Sequence, residues 1–193
     1  MEIDEKIKKL NDLGLPVIFI VTGNNSAGKT TFTKKLLQNF DFYQSINLGI
    51  ISKMIRFFRP DIDSSELENF DGNEASKIFK DLLDFIIDTY VKTGVNIVVE
   101  GVQIDTDELE KNDFILGGVV LEVDTNIAMK RGDKPATHFS RSIQEHHLKQ
   151  VHYISNAKFK IVNNNGNSEQ TFEEIMLHLN NILDMKLHEY EQN

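Results

Sequence analysis

Short apolar runs alternate along this chain with stretches whose apolar residues recur at helical spacing. Val17-Ile18-Phe19-Ile20-Val21 is a near-continuous apolar run with β-branched and aromatic bias, the pattern of a strand buried on both faces. Further strands are predicted at Ser45-Ile46-Asn47-Leu48, Val95 to Gly101, Ile115 to Val123 and Phe159 to Val162. Between them, Ile3, Ile7 and Leu10 share one face of a short helix that stops at Gly14. Phe32, Leu36 and Phe40 mark a second helix, and Ile50 to Phe58 a third that Pro60 ends. A long helix is predicted from Glu74 to Lys92, with Ile78, Leu82, Phe85, Ile86 and Val91 toward the core. Helical signal returns at Asn126 to Arg131 and Thr137 to Ala157. A last helix is expected from about Thr171 to Tyr190, with Thr171-x-x-Glu174 as its capping box. Strands alternating with helices specify an α/β fold: a parallel sheet covered on both faces and joined by right-handed crossovers.

Composition narrows the class without changing the fold. The 193 residues suit a single domain, 1–193, with 40% apolar and 26% charged content, ordinary for a globular protein. With no cysteine there are no disulfides, thiolate nucleophiles or Cys-based zinc sites, which suits a cytoplasmic protein. The start, Met1 to Lys6, carries both charge signs and leads into no long apolar core, so no secretory signal is expected there. No apolar run reaches bilayer length. A formal net charge of −9 argues against a general nucleic-acid surface, which needs clustered Lys and Arg. Nothing in the pattern specifies an oligomeric state.

The chemistry begins where the first strand ends. Gly23-Asn24-Asn25-Ser26-Ala27-Gly28-Lys29-Thr30 fits G-x-x-x-x-G-K-[ST], the phosphate-binding P-loop, in the strand-loop-helix context that motif requires. A helix opening at the loop points unpaired N–H groups and its positive dipole end at a polyanion. Lys29 is then expected to reach the β- and γ-phosphates, Thr30 to offer its hydroxyl to Mg²⁺, and Thr31 to touch the α-phosphate.

Absences select among P-loop proteins. The chain has no Asn-Lys-x-Asp guanine-reading motif and no Leu-Ser-Gly-Gly signature, and it is short for a motor or ring ATPase. Over nearly its whole length it resembles the small P-loop kinases. Ser45-Ile46-Asn47-Leu48-Gly49 followed by Lys53 is similar to the acceptor strand and helix of nucleoside monophosphate kinases. Val98-Val99-Glu100-Gly101-Val102 resembles the Glu-Gly segment of the uridine kinase and 2-phosphoglycerate kinase families. Lys160 to Gly166 resembles the last strand and adenine loop of dephospho-CoA kinase. The resemblance implies a three-layer fold, with a five-stranded parallel sheet of order 2-3-1-4-5 and a short helical lid at about 130–140. It also implies ATP and Mg²⁺ as cofactors.

Phosphoryl transfer asks chiefly for positioning and positive charge. Lys29 supplies one cation. Arg131 and Lys134 flank the break at Gly132 and Pro135, where the resemblance puts a lid, and Arg141 follows. Lys53, Arg56 and Arg59 are candidates for an acceptor pocket. Glu100 ends a buried strand where ligands of open α/β sheets bind, and is expected to hold Mg²⁺ through water or to accept the acceptor's proton. The second strand carries Asn47 where many relatives have Asp, which leaves the general base open. Of the six histidines, His138, His146, His147 and His152 cluster without a completing acidic partner, so no zinc site is expected. The expected activity is transfer of the ATP γ-phosphoryl group to a small anionic or phosphorylated metabolite, as in 2-phosphoglycerate kinase-like proteins. The alternatives are a nucleoside monophosphate kinase, an ATP-binding regulatory module without transfer, and a polynucleotide-end kinase.

Overall fold

The most apolar run of the chain becomes the middle of the sheet. A computed structural model describes residues 1–23, 26–61, 74–101, 113–131 and 158–192. Along it run α1 (Ile3–Asp12), β1 (Val17–Gly23), α2 (Lys29–Asn39), β2 (Gln44–Asn47), α3 (Leu48–Phe58), α4 (Glu74–Lys92), β3 (Ile97–Gly101), β4 (Ile115–Glu122), α5 (Thr125–Arg131), β5 (Phe159–Asn163) and α6 (Ser168–Glu191). The five strands form one sheet of order β2-β3-β1-β4-β5 with every neighbour parallel. This is the order expected from the resemblance. The central strand β1 is buried along its whole length, as an apolar run covered on two faces must be.

Alternate β1 residues feed two cores. Val17, Phe19 and Val21 face a layer made by α1, α2 and α6, while Ile18 and Ile20 face α3 and α4. Two glycines let strands and helices approach. A Cβ at Gly118 of β4 would lie 2.3 Å from the Ile20 carbonyl oxygen, and one at Gly117 would lie 2.4 Å from Ile182 of α6. At the other end of the sheet Asn96 is buried. Its Oδ1 accepts from Val17 N–H at 2.8 Å and its Nδ2 donates to the Asp41 carbonyl at 2.9 Å. That side chain stitches the start of β1 to the connection after α2, and ladder pairing in β3 begins one residue later, at Ile97.

Three local expectations shift. The face of α4 that is fully buried carries Phe79, Leu83 and Ile87. Ile78, Leu82, Ile86 and Val91 are only partly buried, and Phe85 is 68% exposed. The apolar arc of this helix is wider than one stripe, and packing against α3 and the sheet selects its edge. β2 ends at Asn47 rather than Leu48, because the Asn47 side chain accepts from Ile50 N–H and caps α3. The last helix starts at Ser168 with Asn167 as its cap. Thr171 therefore sits inside the helix, buried, and its hydroxyl faces the chain after β5. The helix expected at Thr137 to Ala157, residues 132–140 of the expected lid and the four clustered histidines lie outside the described residues.

Polar contacts of buried side chains help hold α6 to its neighbours. Lys6 of α1 is buried and donates to Asn180 and pairs with Asp184, both at 2.6 Å. His178 is buried against the sheet, its Nε2 3.0 Å from the Lys158 carbonyl oxygen. Burial lowers the His178 pKa, the Lys158 carbonyl opposes that, and nearby Lys160 adds to it. A His whose folded pKa lies below its unfolded value takes up its proton first in the unfolded chain. Stability should therefore fall as pH drops below about 6.5. The expected result is a midpoint in urea that declines from pH 7 to pH 5, and a shallower decline in His178→Gln. Parallel curves for the two proteins would remove His178 as the cause.

Candidate functional site

At the carboxyl end of β1 the backbone turns through two left-handed residues, Ser26 (φ 63°) and Gly28 (φ 94°). Gly23, at φ 133°, is demanded by its neighbour as well: a Cβ there would lie 2.1 Å from the Leu121 carbonyl oxygen on β4. Gly28 is the N-cap of α2, so the helix begins at Lys29 with its first N–H groups toward the loop. Ser26 and Thr31 are exposed, Ala27 is buried, and Thr30 lies exposed at the helix start. Asn24 and Asn25 lie outside the described residues.

Lys29 folds back over the loop and donates its Nζ proton to the Gly23 carbonyl at 2.9 Å. Burial pushes its pKa down to about 8, against the pull of the Glu100 carboxylate, which raises it.

Glu100 is the carboxylate that faces it. Residue 100 is in register with Val21 of β1 and Asn47 of β2, which puts its side chain on the α2 face of the sheet. It is 4% exposed. One carboxylate oxygen, Oε1, accepts from the Thr30 hydroxyl at 3.3 Å and from the Asn47 side-chain amide. The other, Oε2, is buried with no hydrogen-bond partner among the described residues. Asn47, read from sequence only as a missing base, thus has a positive role: one amide orients Glu100 through Nδ2 and caps α3 through Oδ1. Its signal in the sequence was an Asn directly ahead of a helical run, which specifies the cap but not the contact with Glu100.

The remaining candidates are placed less centrally. Lys53 is exposed and Arg56 half-buried on α3. Lys53 lies six residues beyond Asn47, about 9 Å along the helix axis at 1.5 Å per residue. Around Lys53 the helix exposes Ile50, Met54 and Phe57, the last at 80%. Arg59 differs from expectation in its charge balance, because its guanidinium is paired with Asp61 at 2.7 Å and Glu74 at 3.1 Å. Arg131 is exposed at the C-terminal end of α5. Lys134 and Arg141 lie outside the described residues.

One contact of the segment that resembles an adenine loop was not legible in the sequence. Asn164, just past β5, is buried and donates its side-chain amide to the Ala27 carbonyl inside the loop at 2.8 Å. The turn-forming run Asn163-Asn164-Asn165-Gly166 hides it, since three adjacent asparagines offer no local reason to single out the middle one.

A loop of left-handed residues closing on a helix start, with a lysine over it and a buried carboxylate beside it, can hold a phosphate chain. The sheet order around it matches that of solved enzymes. The chain has the fold of the small P-loop kinases. It superposes on a sugar kinase from Janibacter sp. HTCC2649 with a TM-score of 0.64 at 14% identity, covering 86% of this chain and 95% of that one. A gluconokinase from Sinorhizobium meliloti 1021 gives 0.59 at 12% identity, covering 91% and 98%. A shikimate kinase from Aquifex aeolicus vf5 gives 0.50 at 12% identity, covering 86% and 97%. No protein-family model and no curated protein sequence matches the chain. At these identities the likeness is one of fold, and the chemistry has to be argued from the side chains.

Proposed function

We propose that the protein is an ATP-dependent kinase that transfers the γ-phosphoryl group to a small anionic or phosphorylated metabolite. The observation that carries this reading is the meeting of Lys29, Thr30 and Glu100 at the carboxyl ends of β1 and β3, with one buried oxygen of Glu100 without a hydrogen-bond partner among the described residues. Two oxygen donors side by side, the Thr30 hydroxyl and that carboxylate, suit a hard, hydrated Mg²⁺ ion. Thr30 would hold it directly and Glu100 through water. When bound, the metal would neutralise charge on the phosphate oxygens.

The protein's own groups do the rest. The N–H groups of the loop and the first turn of α2 position the phosphates, and Lys29 adds a mobile cation. Asn47 keeps Glu100 turned toward Thr30. The acceptor enters over α3, where Lys53 and Arg56 attract an anion and the exposed Ile50, Met54 and Phe57 contact its apolar part. Arg131 would contribute a further cation from α5, and Arg141 would add another.

The test is transfer of labelled γ-phosphate from Mg²⁺-ATP to a pool of phosphorylated metabolites and nucleoside monophosphates. A labelled product that disappears in Lys29→Ala supports the kinase and names the acceptor. A product bearing a base would favour a nucleoside monophosphate kinase. Slow hydrolysis with no product would instead make this a nucleotide-binding module. Once an acceptor is identified, Lys53→Glu with Arg56→Glu should raise its KM by about 10-fold or more while leaving that of ATP within about threefold. Unchanged acceptor kinetics would remove α3 from the acceptor site.

A further inference from the structure

We propose that Asn164 is a positioning residue for the phosphate loop, acting through the Ala27 carbonyl. The inference rests on the loop being a nucleotide-phosphate site. A P-loop works as an anion cradle only if its N–H groups face inward and its carbonyls face elsewhere. The left-handed residues at 26 and 28 make that arrangement reachable, but they do not hold it, because the peptide plane between Ala27 and Gly28 can rotate against a glycine that accepts either sign of φ. Ala27 is the residue between them. Its carbonyl oxygen is taken by the Asn164 side-chain N–H at 2.8 Å, in a fully buried contact between residues 137 positions apart. A carbonyl held there is not free to turn toward a phosphate.

The asparagine is itself held. Its backbone N–H donates to the Glu122 carbonyl at 2.8 Å, which continues the pairing of β4 with β5. Its Oδ1 lies 3.3 Å from the buried Thr171 hydroxyl, which shares its proton with the Asn167 carbonyl at 3.0 Å and the Asn163 carbonyl at 3.4 Å. The fit also reaches the glycine that follows Ala27, since a Cβ on Gly28 would lie 2.8 Å from Asn164 Nδ2. Gly28 is thus required both by its dihedral angle and by this contact. The segment after β5 therefore braces the phosphate end of the site from behind, through one donor that a carboxylate cannot replace. The substitution Asn164→Asp would set an acceptor against an acceptor, and Thr171 would act on the loop only by holding Asn164 still.

Calorimetric titration with Mg²⁺ and a non-hydrolysable ATP analogue, on folded protein well below each variant's Tm, tests this. Failure of the wild type to bind would overturn the phosphate-site reading on which the inference stands. With a binding wild type, Asn164→Asp and Asn164→Ala should weaken the analogue by about 10-fold or more, the scale of a lost buried donor. AMP affinity should change by less than about threefold, because AMP lacks the β- and γ-phosphates that the loop holds. Thr171→Val should weaken the analogue by a smaller factor of about 3, and Thr171→Ser should restore it. Wild-type affinity in Asn164→Asp would overturn the proposal, as would equal losses for AMP and the ATP analogue. If the Asn164 variants do not fold, the Thr171 pair decides: a serine variant as weak as the valine variant overturns it.

Discussion

Lys29→Met is expected to abolish phosphoryl transfer and, at neutral pH, to make the protein more stable. The first effect follows from charge: loss of a cation aimed at the transferred group typically costs about 3 kcal/mol or more of transition-state stabilisation, so kcat/KM should fall by at least about 100-fold. The second follows from burial. The folded-state pKa is pushed down to about 8 from 10.5, so below pH 8 the fold carries an ammonium it would rather lose. At about 1.4 kcal/mol per pK unit the cost is at most about 3.5 kcal/mol, and the partial exposure of the side chain brings it to about 1–2 kcal/mol. Between pH 8 and 10.5 the unfolded chain binds a proton that the native one does not, so wild-type stability rises across that window. Urea titration should show the Met variant ahead of the wild type at pH 7 and the gap closing by about pH 10.5. A gap independent of pH would mean that methionine packs better and that the buried charge is irrelevant. Saturating Mg²⁺-ATP should stabilise the wild type far more than the variant.

Glu100→Gln should lower kcat by about 100-fold or more with the fold intact, because the amide keeps the shape and its oxygen still accepts from Thr30 and Asn47, while the charge is lost. The variant also separates the two roles open to this carboxylate. If Glu100 holds the hydration shell of Mg²⁺, the half-saturating Mg²⁺ concentration should rise steeply. If it accepts the acceptor's proton, Mg²⁺ dependence should stay put while kcat still falls. A further consequence links the two positions: the Glu100 carboxylate raises the Lys29 pKa, so its removal should lower that pKa further. Wild-type kcat in Glu100→Gln would remove the residue from the reacting centre.

The parts of the site that could be read directly from the chain are those made within one local segment. Gly23, Gly28, Lys29, Thr30 and Thr31 occupy a strand-loop-helix unit, and Glu100 is marked by ending an apolar strand. Asn47 shows why reading stops there. Its neighbours on the chain explain the cap on α3, but its contact with Glu100 arises only when β2 and β3 pair with residues 47 and 100 in register. Arg59 fails similarly in the other direction: the chain shows one more cation in a basic run, and the fold sets it between Asp61 and Glu74. Phe85 has the right spacing for the core of α4 yet lies outside it, since a wide apolar arc leaves the helix free to rotate until its neighbours settle it.

What the sequence alone determined was the alternation of the described strands and helices and the place of the glycine-flanked loop after β1. These depend on periods of 2 and 3.6 residues and on glycines at the ends of runs, all properties of a few adjacent residues. The tertiary structure decided which side chains meet. The placing of Glu100 beside Thr30 and Asn47, the depressed pKa of Lys29 and the bond from Asn164 to Ala27 exist only because distant segments are packed together out of water, where polar contacts and charges weigh more than on the surface.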